Sequence, residues 1–239
     1  FEPCPEPALE SLRQLIAASR IDLPKGLPPM AAGLFGHMAY DMVRQVERLP
    51  EGNPDPLGLP DAVFLRPTLM AIFDNIEDRV TVVTPVWPRA EVSAREAYER
   101  ARERLADAVA DFNRGFSHAP VRMASPPPEP VSNVSRERYH AMVEQAKEYI
   151  RAGDIFQVVP SQRFTLPFHL PPFALYRALR RLNPSPFLFF LDLGDYALVG
   201  SSPEILVRLR DDTVTVRPIA GTRRRGVDKA EDEALAQDL

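Results

Sequence analysis

The sequence predicts an α+β fold in which antiparallel sheets pack against helices. Three observations carry that expectation. Between 89 and 112, Tyr98, Ala101, Leu105, Ala108, Val109 and Phe112 repeat at helical spacing with charges between them. From Phe187 onward the chain reads as short β-rich runs, with turn residues at Gly194-Asp195 and Asp211-Asp212. The strand-like runs come in hairpins, apart from the helices, which argues against a doubly wound parallel sheet.

The elements follow in order. Residues 9–18 read as a short helix between proline-rich flanks, and 31–42 as an apolar, glycine-containing strand that runs into a turn. Runs 62–74 and 79–86 read as a hairpin around 75–78, because Val80, Thr81, Val82, Val83 and Thr84 are β-formers. The helix over 89–112 comes next. Residues 118–133 hold five prolines and mark an exposed loop, taken as a connection inside one fold, with a domain boundary as the other reading.

Ser135 is a good N-cap for a helix that reaches Ala152, with Gly153 as its stop. A strand is expected over 155–164. Pro171-Pro172 opens a helix that ends at Asn183. A four-stranded meander is expected over 187–193, 196–200, 205–210 and 213–217.

Composition bounds the function. A chain of 239 residues with 45% apolar and 26% charged residues suits a soluble globular protein. A net charge of −4, with no long basic stripe, argues against nucleic acid. The Arg223-Arg224-Arg225 run reads first as a solvated turn and second as a phosphate contact. No run has the length of a membrane helix; 187–191 is the most apolar and suits a buried strand. The single cysteine, Cys4, excludes an internal disulfide framework and fits a reducing cytoplasm. His37, His118, His140 and His169 lack metal-ligand spacing. The chain opens on Phe1 and closes on a helix-like run without a stop signal. It is therefore expected to be one partial domain over 1–239, truncated at both ends.

Four segments carry the candidate chemistry. They are Gly-Asp-Ile-Phe-Gln-Val-Val-Pro-Ser at 153–161, Asn-Pro-Ser-Pro-Phe at 183–187, Gly-Ser-Ser-Pro-Glu at 200–204, and Pro-Ile-Ala-Gly-Thr-Arg at 218–223. Each sets small, backbone-exposing residues beside one or two hydrogen-bonding side chains, which suits a pocket for a small anionic molecule. On an extended 155–164, Gln157, Ser161 and Arg163 share one face; a half-solvated strand explains that pattern as well as a site does. Gly221-Thr222 lets a backbone approach a ligand beside a hydroxyl donor, although taken in isolation the motif reads first as a turn with a capping threonine. Glu204 begins a strand, where an exposed carboxylate is commoner than a buried general acid.

In this order and spacing the four segments resemble the chorismate-utilising enzymes, most closely the anthranilate synthase large components. Ala32-Gly33-Leu34-Phe35-Gly36 through Tyr40-Asp41 is similar as well. The resemblance implies a chorismate-binding fold of which this chain is part. The implied reaction joins chorismate with ammonia, supplied from glutamine by an amidotransferase subunit, to give anthranilate and pyruvate for tryptophan biosynthesis. It also implies Mg2+, with ligands expected beyond Leu239 and none in this chain, so that the stretch alone is expected to be inactive.

By the same resemblance, Gly221 and Thr222 bind chorismate, and Glu204 aligns with the general acid that acts on the departing ring hydroxyl. Gln157 stands where water-using relatives place a lysine base, and a neutral amide there favours ammonia. Ala220 stands where aminodeoxychorismate synthases place a nucleophilic lysine. Asn183, Pro186, Phe187 and Leu188 align with half of a site for L-tryptophan as feedback inhibitor. The family often has Tyr-Met at 187–188; Phe187-Leu188 keeps apolar contact with an indole and leaves the affinity open. Two other readings stand beside this one: an aminodeoxychorismate or isochorismate/salicylate synthase, and a non-catalytic module that senses an aromatic metabolite.

Overall fold

A computed structural model describes residues 3–50, 53–115, 128–217 and 223–239. Helices and two-stranded antiparallel sheets make up the chain, an α+β architecture. It divides into two compact units, Phe1–His118 and Ala119–Leu239.

In the first unit, helix α1 (Ala8–Ala18) starts directly after Pro7, whose carbonyl accepts from the Ser11 N–H at 2.9 Å. Strand β1 (Phe35–Met38) pairs with β2 (Ala62–Leu65), and Gly36 faces Phe64. A Cβ on Gly36 would run into the carbonyl oxygen of Val63, so the two backbones can approach only with glycine at this position. The expected strand over 31–42 shrinks to β1 because 3-10 turns occupy Pro29–Ala31 and Tyr40–Gln45 on either side.

The expected strand over 62–74 is two strands. Pro67 has no N–H to offer a ladder, and the chain changes partner there. Beyond it β3 (Met70–Asp74) pairs with β4 (Arg79–Val83). The turn between them is built as expected: Asp74 Oδ1 accepts from the N–H groups of Ile76 and Glu77 at 2.9 and 3.0 Å, and Asp78 takes φ 48°. Helix α2 (Ala94–Phe112) begins five residues later than the periodicity suggested. Ser93 caps it by accepting from the Glu96 N–H at 3.2 Å. Ala101 and Ala108 are buried on its inner stripe, and Phe112 meets Phe73 of β3 edge-on at 5.9 Å.

In the second unit, β5 (Val131–Ser132) pairs with β6 (Phe164–Thr165); most of the expected loop over 118–133 lies outside the described residues. Helix α3 (Arg136–Ala152) is capped by Ser135, which accepts from the Arg138 N–H at 3.2 Å, and is stopped by Gly153 at φ 81°. Both signals were legible in the sequence. The expected strand over 155–164 is not: only Phe164 belongs to one. Pro160 breaks the donor row, and no strand among the described residues lies alongside 155–163.

Helix α4 (Pro172–Leu182) packs Phe173 and Tyr176 on Phe190 of β7 (Phe187–Asp192), with ring centroids 5.2 and 6.0 Å apart. Strand β7 pairs along its whole length with β8 (Ala197–Ser202), from Phe187↔Ser202 to Asp192↔Ala197. Strands β9 (Arg208–Arg210) and β10 (Thr213–Thr215) form a separate hairpin, turned by Asp211 and Asp212 at φ 47° and 58°. The expected meander is therefore two hairpins, because Pro203 and a local Ser202–Glu204 hydrogen bond end β8.

Helix α5 (Lys229–Asp238) closes the chain, capped by Asp228. The three consecutive arginines pair with α5 carboxylates: Arg223 with Asp238 at 3.0 Å, Arg224 with Glu231, and Arg225 with Asp232 at 2.9 Å. All three side chains are exposed, Arg225 at 90%, in keeping with the solvated reading, and each has a carboxylate partner in place of a phosphate. No helix among the described residues is long and apolar enough to cross a membrane.

The N–H of Glu77, then that of Ile76, holds the Asp74 carboxyl below its ordinary value, with Arg79 assisting. A depressed folded pKa adds stability that is present at neutral pH and is lost as the pH falls through the folded value. Asp74→Asn should flatten the acid limb of a urea-midpoint-against-pH curve. An unchanged limb would show that this turn does not titrate with folding.

Candidate functional site

The β7–β8 ladder joins two of the four segments singled out in the sequence. Register places Phe187 opposite Ser202 and Leu188 opposite Ser201, so Asn-Pro-Ser-Pro-Phe and Gly-Ser-Ser-Pro-Glu meet at one end of the hairpin. The Ser201 hydroxyl donates to the Asn183 carbonyl at 2.7 Å and shares a hydrogen bond with Ser185 Oγ at 2.9 Å. Asn183 also ends α4, where its N–H donates to the Leu179 carbonyl at 2.8 Å. One serine thus ties the end of a helix, a proline turn and a strand together. Pro184 and Pro186 limit the backbone of the turn, so these few bonds suffice to set its course.

The glycine that opens Gly-Ser-Ser-Pro-Glu has a packing reason. A Cβ at Gly200 would fall into the ring of Phe189, its cross-strand partner. Glycine here makes room for an aromatic ring on the hairpin face.

Among the residues aligned with a tryptophan site, Leu188 is half-buried, whereas Asn183, Pro186 and Phe187 are exposed, Phe187 at 45%. The structure brings these four together with Ser201 and Ser202. Ser185 and Ser201 were not singled out as side chains from the sequence. The signal was present in their motifs, but which hydroxyl faces which carbonyl depends on register.

Glu204 lies two residues past β8 and is exposed. Its backbone is held on both sides by Ser202: the hydroxyl donates to the Glu204 carbonyl at 3.0 Å and accepts from the Glu204 N–H at 3.4 Å. This reciprocal arrangement gives the carboxylate a defined stem beside the β7–β8 end. Gln157 is exposed in the irregular segment after α3, next to Phe156, which is 94% exposed. No strand pairing among the described residues joins that segment to β7 or β8. Ala220, Gly221 and Thr222 lie outside the described residues.

Nearby, Gln162 Nε2 donates to Ser132 Oγ at 2.8 Å, and the Arg163 N–H donates to Asn133 Oδ1 at 2.8 Å. The first segment is therefore anchored at its far end to β5, and the residues between Gly153 and Gln162 span two fixed points. Among the described residues, no group of three or more His, Cys, Asp or Glu is placed to hold a metal ion.

The family described as chorismate binding enzyme matches residues 5–239. Anthranilate synthase component 1 of Cereibacter sphaeroides is 57% identical over 240 aligned residues, which cover 100% of this chain and 48% of that protein. The protein of the same name from Thermus thermophilus is 45% identical over 213 residues, 89% of this chain and 44% of that one. Among solved structures, anthranilate synthase component I from Streptococcus pneumoniae TIGR4 matches with a TM-score of 0.80 at 31% identity. That match covers 99% of this chain and 50% of the other. The chain spans about half the length of the relatives it matches.

Ser201→Ala removes both bonds that tie the proline turn to β8. It should lower stability by about 0.5–1.5 kcal/mol and speed amide exchange at Asn183 and Ser185, while Ser201→Thr keeps most of the protection. Equal exchange in all three proteins would mean that the hydroxyl does not hold the turn.

Proposed function

The chain belongs to the chorismate binding enzymes, and on that premise we propose that it forms part of an anthranilate synthase large component, which converts chorismate and ammonia to anthranilate, pyruvate and water. The observation that carries this reading is the 57% identity to an anthranilate synthase component 1 along the whole chain. Two positions then select the ortho-aminating branch. Gln157 is an uncharged amide and cannot take a proton from water, so ammonia, nucleophilic without such help, is the group that adds to the ring. Ala220 carries only a methyl group, so no covalent adduct forms there, as it would on a lysine.

The remaining roles follow. Glu204 protonates the ring hydroxyl as it leaves, and the Ser202 bonds to its backbone support that role by fixing the stem of the side chain. Gly221 and Thr222 receive a substrate carboxylate, the glycine by close backbone approach and the threonine by hydroxyl donation. Elimination of pyruvate then restores the aromatic ring. Mg2+ supplies charge neutralisation for the carboxylate when bound; we place its ligands in the part of the relatives that this chain does not cover.

Ammonia is drawn from glutamine by an amidotransferase partner, and the product feeds tryptophan biosynthesis in the cytoplasm. Asn183, Pro186, Phe187 and Leu188 form half of a feedback site for L-tryptophan. The Ser201 tie supports this, because it holds Asn183 and the start of β7 in one arrangement. We propose, further, that both units belong to a single chorismate-utilising domain.

The test uses the full-length protein with chorismate, ammonium and magnesium. Glu204→Gln should lower kcat by about 10²–10⁴-fold. Gln157→Lys should divert part of the flux to a hydroxylated, isochorismate-type product seen by chromatography. Anthranilate formation unaffected by either change would remove these residues from the mechanism. The 239-residue chain alone should give no anthranilate fluorescence. Chorismate binding by the full-length protein with no turnover would favour a sensing module instead.

A further inference from the structure

The first unit holds a second polar site, unconnected with the motifs above. A cavity of about 100 Å³ lies between the segment that follows β4 and the N-terminal half of α2, lined by Arg66, Thr68, Trp87, Arg89, Arg100 and Arg104 among others. Arg100 and Arg104 are four apart on α2 and so project from one face. Arg66 follows β2, and Arg89 follows the segment that leaves β4. Four arginines, three of them exposed, line this one cavity in a chain whose net charge is −4, so the cluster does not reflect a generally basic surface.

The anchoring argues against an ordinary solvated face. The Trp87 indole N–H donates to the Ser19 carbonyl at 3.2 Å, and Ser19 is only 8% exposed. Arg66 stacks on that fixed indole, 4.5 Å from the ring centroid, and its Nη1 donates to Ser19 Oγ at 3.3 Å. Arg104 Nε donates to Thr84 Oγ1 at 3.0 Å, while the same hydroxyl donates to the Thr68 carbonyl at 2.7 Å. Arg100 pairs with Glu96 at 2.5 Å, the carboxylate that offsets part of the charge. Two of the four cations are thus pre-set by neutral partners, which orient them without cancelling their charge. Such pre-setting lowers the ordering cost of binding.

We propose that this Arg66–Trp87–Arg104 pocket binds an oxyanion, the phosphate or carboxylate group of a small molecule. A guanidinium fork matches either group in a bidentate manner. The volume is several times what one water needs and suits a single anionic head rather than a whole nucleotide. The site stands on its own geometry and does not rest on the proposed reaction.

The test follows Trp87 in the full-length protein labelled with 5-fluorotryptophan, its resonance assigned by its loss in Trp87→Phe. Inorganic phosphate and acetate are titrated separately at constant ionic strength, with chloride as the control. A saturable shift of the Trp87 signal with phosphate or acetate, absent with chloride, is expected; the tighter of the two identifies the preferred head group. Arg89→Gln, in an exposed position, and Arg104→Gln should each weaken binding by about tenfold, while Arg104→Lys retains part of it. No saturable shift, the same response to chloride, or unaltered affinity in Arg89→Gln with native-like circular dichroism would overturn the proposal. None of these readouts needs turnover, so a failure here leaves the reaction untouched, and the converse holds.

Discussion

Every sheet among the described residues has two strands, and that constraint governs the rest of the structure. A hairpin can satisfy its inner ladder but leaves both outer edges and at least one face to other elements. The β7–β8 hairpin receives an aromatic cover from Phe173 and Tyr176 of α4, β3 meets Phe112 of α2, and two of the four motifs meet on β7–β8. Elsewhere large apolar side chains such as Ile76, Phe156 and Leu206 are almost fully exposed.

Local polar chemistry therefore does much of the ordering. Ser93, Ser135 and Asp228 cap helices, Asp74 builds a turn, and Ser201 and Ser202 fix the region around Asn183 and Glu204. The surface ion pairs contribute less: pairs between exposed side chains, such as Arg114 with Asp111, are screened and each adds little. The three arginines before α5 differ in being consecutive, so together they tie the chain's return to one helix face although each pair is weak. The same accounting separates the Arg66–Trp87 pocket from those pairs, since its anchors are a half-buried indole and a buried serine.

Helix boundaries and turn chemistry were legible in the residues because each depends on near neighbours. Ser135 and Gly153 mark both ends of α3 through hydrogen bonds and φ values that their own side chains allow. Gly194 and Asp211-Asp212 mark hairpin turns for the same reason. Strand extent was less legible. The segment around Gln157 has β-forming residues, yet a strand exists only where a second backbone accepts its hydrogen bonds. The break at Pro67 was visible in the residues, but the change of partner that it causes was not.

By itself, then, the order of residues determined the fold class, the caps, the turns and the four motifs that point to a chorismate enzyme, since those are local patterns or family signatures. Only the tertiary structure decided that Ser201 faces Asn183, that Gly200 makes room for Phe189, and that Arg66 stacks on an indole held by Ser19. Each of these joins residues far apart along the chain. Such contacts are set by strand register and packing, which no short window of sequence contains.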